Sequence, residues 1–259
     1  MASLNSQPIS TAEAAWQRFG VYRASHQAEL LTISTGWPAL DHLLPGDGYP
    51  VGAVTELLVE CPGIGEVSLL LHALSNQLCT HPSRRLAIID PPPALNAPAL
   101  IQLGIDCRNV PFIACRNDGE RVWCVEQMST AGEFVAFVVW GDTLDTTALR
   151  RLQLAAEKAV CPVFVYRHLY RATERSPAAL RLAVTAHLVD GHLHQRLKVV
   201  KCRGPAGARI DSLMIADGKP WRLPSEQRDL SSCMRASNEQ WSEEHCDVAG
   251  SAFSTLGTR

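Results

Sequence analysis

From Val51 up to Arg84 the chain has neither lysine nor arginine, which leaves no local cation for a phosphate chain bound there. No apolar run reaches the roughly 18 residues that a membrane helix requires, so no membrane-spanning helix is expected. The N-terminus, MASLNSQPIS, lacks a basic stretch followed by an apolar one, so no secretion signal is expected and the cytoplasm is the expected location. The nine cysteines (61, 79, 107, 115, 124, 161, 202, 233 and 246) form no CxxC pair. Zinc is therefore not expected, and their odd number and apolar neighbours predict reduced, mostly buried thiols. Histidines 187, 192 and 194 flank one turn but have no carboxylate or cysteine at ligand spacing, so no metal site is expected there. No G-x-S-x-G elbow surrounds Ser68 or Ser176, which removes support for a hydrolase triad. Aromatic residues are few, at 6%.

What remains is an ordinary soluble composition, 46% hydrophobic and 19% charged, on 259 residues, enough for one α/β domain with extensions. The net charge of −2 hides an asymmetry. From Arg150 to Arg209 there are 12 Lys/Arg against 3 Asp/Glu, whereas all other residues carry 12 basic and 23 acidic groups. Such a basic segment faces nucleic acid or an acidic partner, or else is scattered over several faces of the fold.

Hydrophobic periodicity divides the chain into alternating elements. Residues 1–30 are rich in helix formers and predict a helical arm. PALDHLL predicts two helical turns stopped by Pro45-Gly46, AVTELLVE a buried strand, and SLLLHALSNQLCT a helix. RRLAIID predicts a strand of a parallel sheet, PPPALNAPALIQLGID a short helix, and VPFIAC a short strand. GERVWCVEQMSTAG predicts a helix despite the run Val122 to Val125. EFVAFVVWGD predicts a central strand, TTALRRLQLAAEKAV an amphipathic helix and CPVFVYRHL a further strand. The period-two pattern on either side of Asp190-Gly191 predicts a hairpin. The expected fold is α/β, with a mostly parallel central sheet, antiparallel edge strands and a loose acidic tail. The expected boundaries are an arm over 1–30, a core over 31–204, a core extension over 205–224 and a flexible tail over 225–259.

VECPGIGEVSLLLHAL has the strand, glycine turn and helix of a phosphate-binding loop. Such a loop, GxxxxGK[ST], cradles anionic oxygens with backbone N–H groups, neutralises them with lysine and holds magnesium through a hydroxyl. Here Glu60 stands at the first glycine, Gly65 at the second, Glu66 at the lysine and Val67 at the hydroxyl, with Gly63 inside the turn. Ser68 is one place late for magnesium. Glu66 can instead serve the helix N-terminus, where negative charge suits the dipole.

TGWPALD (35–41) followed by GYPVG (48–52), LGID (103–106) with Asn109-Val110, and RLKVVKCR (196–203) occur in this order and spacing. Together they resemble the RecA recombinase core over about residues 31–204. TELL followed by PGIGEVSLLLHAL, and ERSPAALRLAV followed by RLKVVKCRG, resemble more closely the ImuA family, RecA-like proteins of bacterial mutagenesis cassettes sometimes labelled SulA-like. The resemblance implies a RecA-like fold with a degenerate ATP site and no cofactor. Its implied role is non-catalytic, in SOS-induced translesion synthesis, alongside an ImuB-like polymerase homologue and an error-prone replicative-type polymerase. RecA itself and single-stranded DNA are further contacts that it leaves open. By the same likeness the arm over 1–30 packs on a neighbouring protomer or partner.

Carried over residue by residue, the resemblance places Asp90 at the end of the second core strand and Pro92 where the family's catalytic glutamate stands. It places Trp140 at the Walker-B aspartate, with Asp142 two places later. Asp142 is expected to cap the following helix. YRATERS is all that remains of the second DNA-binding loop, and it offers Arg171 and Arg175 for phosphate contact. With these, Arg181, Arg196, Lys198, Lys201 and Arg203 form the expected basic stripe for DNA or partner. Two further readings stay open: an ATPase using Glu66, Asp90 and Asp142 around magnesium, and a SulA-like inhibitor of cell division.

Overall fold

The computed structural model describes residues 31–92, 100–101, 105–190, 192–203 and 206–214. The predicted arm, residues 93–99 and 102–104 of the helix predicted over PPPALNAPALIQLGID, and the chain from 215 on, with the predicted tail, lie outside the described residues.

The sheet is built from strands whose both faces are apolar. β3 (Val54–Val59), β6 (Phe134–Trp140) and β7 (Val163–His168) are buried almost throughout, the pattern of parallel strands covered on two sides. Along each strand alternate residues divide between two cores. Leu86, Ile88, Val138, Phe164 and Tyr166 enter one core, while Ala87, Ile89, Val139, Val163 and Val165 enter the other. Helix α2 (Ser68–Thr80), together with Leu40 and Leu44, covers the first. Helices α3 (Asp118–Ala131) and α4 (Thr146–Ala159) cover the second through Val122, Val125, Leu149 and Leu152.

With β4 (Arg85–Ile89), β5 (Phe112–Ile113), β8 (Leu180–Val189), β9 (His192–Lys201) and β10 (Arg209–Met214), the sheet has eight strands in the order β10-β9-β8-β3-β7-β6-β4-β5. Pairs from β8 to β5 are parallel. β8–β9 and β9–β10 are antiparallel. The expected α/β architecture with a mostly parallel sheet and antiparallel edge is thus present. Asp190 takes the left-handed conformation, φ 50°, at the expected hairpin. No helix among the described residues is long and apolar enough to cross a membrane. The thiols correct an expectation. Of the seven described cysteines only Cys161 is buried and Cys61 is exposed, because most of them sit at the ends of elements rather than inside them.

A second, small sheet pairs β1 (Thr32–Ile33) with β2 (Tyr49–Pro50) around helix α1 (Pro38–Asp41). Asp41 organises this segment by accepting from Ser34 Oγ and Thr35 N, both at 2.7 Å. Gly36 then packs against α2 at φ 81°, and a Cβ there would lie 2.3 Å from His72 Cβ. The TGWPALD pattern is therefore a docking turn onto α2. Gly36→Ala combines left-handed strain with overpacking and is expected to cost roughly 2–4 kcal/mol. A urea midpoint unchanged from wild type would contradict this account.

Candidate functional site

The loop from Glu60 to Val67 leaves the carboxyl end of β3, the end at which open α/β sheets place ligands. Gly63 and Gly65 both hold positive φ, 89° and 79°, and bend the chain back on itself. In doing so they place the Glu66 carboxylate against the Gly63 N–H, with Oε1 at 3.2 Å and Oε2 at 3.1 Å. Glu66 is 3% exposed. The loop thus carries an anion of its own, where a bound phosphate would otherwise meet its backbone donors.

Donors of the following helix are also engaged. The N–H groups of Ser68, Leu69 and Leu70 bond to the carbonyls of Gly65, Glu66 and Val67 at 3.0, 3.3 and 3.0 Å. Val67 is the N-cap and supplies no side-chain bond. Glu66 precedes the N-cap, where its charge was expected, and its carboxylate bonds the Gly63 N–H rather than a helix N–H. Two sheet residues hold the loop from below. Tyr166 Oη donates to the Glu66 carbonyl at 3.0 Å, and Gln195 Nε2 donates to the Ile64 carbonyl at 2.8 Å. Burial, and then the Glu66 charge, raise the Tyr166 phenol well above its ordinary value and keep it a donor. Trp140 stacks on Tyr166 at 4.7 Å and 19°. Glu60 is exposed.

The neighbouring strand ends are likewise occupied. Asp90, at φ 50°, accepts from Cys115 N at 2.7 Å and from Arg121 Nε at 2.5 Å. Pro92 lies half-buried beyond it. Asp142 does not cap α4. That cap is Asp145, whose Oδ1 accepts from Ala148 N at 2.7 Å, because the chain needs the turn at Gly141–Leu144 before the helix starts. Asp142 instead accepts from His168 N at 2.8 Å and Tyr170 Oη at 2.6 Å, with Arg171 Nε 3.6 Å away. Burial alone would raise its carboxyl; these donors outweigh burial and hold it below the usual range. Glu66, Asp90 and Asp142 each spend their oxygens on protein donors. Among the described residues no three His, Cys, Asp or Glu side chains gather as a metal-ligating group.

The expected basic stripe divides into three. Arg181 is a core residue. It stands opposite Glu56 in the β3–β8 register, ion-pairs with Glu56 Oε2, and donates to the carbonyls of Arg171, Ala172 and Glu174 at 2.8, 3.2 and 2.8 Å. Arg167 shares the same carboxylate, 3.0 Å from Oε1, and donates to the Leu144 carbonyl at 2.9 Å. Lys201 Nζ donates to the Ser176 carbonyl at 2.7 Å, and burial together with Arg181 lowers its pKa. Arg171 is bound to Glu174 at 2.8 Å and lies over the Tyr170 ring.

Arg175, Arg196, Lys198 and Arg203 are the exposed members. Arg196 and Lys198 lie on one face of β9, and Arg209 of β10 stands opposite Lys198. The stripe is thus shorter than expected and gains one cation from β10. Sequence reasoning missed Glu56, Arg167, Tyr166 and Gln195. The signal for the first two was a lone charge of each sign inside an otherwise apolar strand.

No protein-family model matches the chain, and no curated protein matches it.

Proposed function

We propose that this protein is a non-catalytic, RecA-like accessory factor of the ImuA type, serving as an adaptor in damage-induced translesion DNA synthesis. One observation carries the reading: the Glu66 carboxylate accepts the Gly63 N–H inside a loop of phosphate-binding shape. A frame stabilised by its own acid keeps its form without nucleotide, which suits a protein retained for its surfaces. Pro92 at the position of a water-activating acid, and Asp142 committed to Tyr170 and His168, support the same reading. The partners on this proposal are an ImuB-like polymerase homologue and an error-prone replicative-type polymerase, with the recombinase or single-stranded DNA as further contacts.

The test has two parts. Magnesium-ATP titrated by calorimetry is expected to give no heat of binding, and a stoichiometric micromolar isotherm would remove the proposal. Co-expression with the polymerase-like product of the same gene cluster is expected to give a complex on affinity purification, and its absence would remove the adaptor role. In bacteria, filamentation on expression would favour a cell-division inhibitor instead.

Exposed cations on β9 and beyond give the contact surface. Reversing Arg196, Lys198 and Arg203 to glutamate should leave cooperative unfolding intact, because all three are exposed. The same reversal should weaken single-stranded DNA binding and lower the slope of log affinity against log salt by about 2. If affinity for both DNA and protein partner stays unchanged, these cations form a solvated face only.

A further inference from the structure

We propose that Cys115 and Cys124 form a reversible oxidation site in which a hydroperoxide converts the two thiols to a disulfide. Cys115 follows β5 and Cys124 lies in α3, yet the Cys115 thiol donates to the Cys124 sulfur at 4.0 Å. A disulfide bond is about 2 Å long, so the two sulfurs must close by about 2 Å to form one. Both residues are half-buried and free, so a small oxidant reaches them where a protein thiol would not.

The surroundings favour the pair and assign its two roles. Arg121 stands one turn before Cys124 on α3 and binds Asp90 Oδ2, while the Cys115 N–H binds Asp90 Oδ1. The carboxylate thus fixes the Cys115 backbone and brings a guanidinium beside the sulfurs. Burial, and then the Cys124 sulfur, push the Cys115 thiol up to about 12, against a smaller opposing pull from Arg121. In the contact between them the Cys115 thiol is the donor and the Cys124 sulfur the acceptor, which makes Cys124 the attacking sulfur and Cys115 the resolving one.

In the first step Cys124 loses its proton and attacks one peroxide oxygen. The O–O bond breaks, and hydroxide leaves to take up that proton as water. Cys124 is then a sulfenic acid. In the second step Cys115 attacks the Cys124 sulfur and the S–O bond breaks. The departing hydroxide takes the Cys115 proton as a second water. Two thiols have lost two electrons and one hydrogen peroxide has become two waters. An external dithiol returns the electrons.

The sequence supplies a clean readout. Arg108, Arg116, Arg121 and Arg150 bound two tryptic peptides, 109–116 and 122–150, each with a single cysteine. The full-length protein treated with equimolar hydrogen peroxide, alkylated and digested should yield these two peptides joined and two hydrogens lighter than their sum. Dithiothreitol should separate them again. In Cys115→Ser, dimedone should label Cys124, since the resolving sulfur is gone. Recovery of 109–116 and 122–150 as separate peptides while other thiols are oxidised would overturn the proposal. So would either peptide joined to a different cysteine. The mapping of wild-type protein needs no variant to fold.

Discussion

Replacing Glu56 with alanine is expected to cost about 3–5 kcal/mol, enough to unfold much of the population of a protein of ordinary stability. The carboxylate is fully buried and shared by Arg167 and Arg181, whose side chains are 1% and 4% exposed. Its removal leaves two guanidinium groups in the interior with carbonyl partners, Leu144 for Arg167 and Arg171, Ala172 and Glu174 for Arg181, and with one remaining carboxylate, the part-exposed Glu174, 3.3 Å from Arg167. Carbonyl dipoles satisfy N–H donors, but they and one solvent-screened carboxylate do not replace a buried carboxylate between two like charges on the strands that flank β3.

Arg167→Ala should cost less than Glu56→Ala, because the remaining pair, Glu56 with Arg181, is balanced. Replacing all three with apolar residues of similar volume should recover most of the loss. Urea denaturation of the set decides the matter. A midpoint for Glu56→Ala equal to wild type would mean that the triad contributes no net stability. The segment from Leu169 to Ser176 lies over these charges and is fastened to them by its carbonyls, so its protease sensitivity should rise in the same variants.

Glu66→Lys is expected to raise affinity for inorganic pyrophosphate by about three orders of magnitude over wild type. Like charges about 4 Å apart repel by roughly 4 kcal/mol at an effective dielectric near 20, and that energy corresponds to about a thousandfold in a dissociation constant. The variant should still bind weakly. The N–H groups of Ser68 to Leu70 remain turned into their own helix, and Asp90 and Asp142 stay committed to protein donors rather than to magnesium.

Glu66→Gln separates two causes. Its amide oxygen can keep the bond to Gly63 N while the charge is gone. If Gln and Lys both bind, repulsion governs exclusion; if only Lys binds, occupation of the loop by the side chain matters as well. Wild-type protein binding pyrophosphate as tightly as Glu66→Lys would dispose of the electrostatic argument. Calorimetry at one fixed salt concentration gives all three numbers.

Much of the fold was legible because burial writes itself into local pattern. FVAFVVW and VFVYRH read as covered strands, and helix α2 runs over the predicted SLLLHALSNQLCT. What local pattern does not carry is register. Glu56 and Arg181 are 125 residues apart, and only the pairing of β3 with β8 turns an expected surface arginine into a core one. The same holds for the acids before α4. Asp142 and Asp145 both suit a helix start, and the choice falls to the turn at Gly141, whose missing side chain admits Leu144. At the loop, composition revealed the acid in the cation's place. That the acid folds back onto Gly63 depends on two positive φ angles, which glycine permits and does not compel.

The ends of the sheet bear on how copies of this chain meet. Among the described strands, one margin is β5, only two residues long. The other is β10, whose pairing slips between Ile210 and Leu213. A brief margin and a broken one both make poor templates for a neighbouring backbone. Ladder growth from chain to chain is therefore disfavoured at both described margins, and self-association falls to side chains on the faces, where charge and shape select what may join.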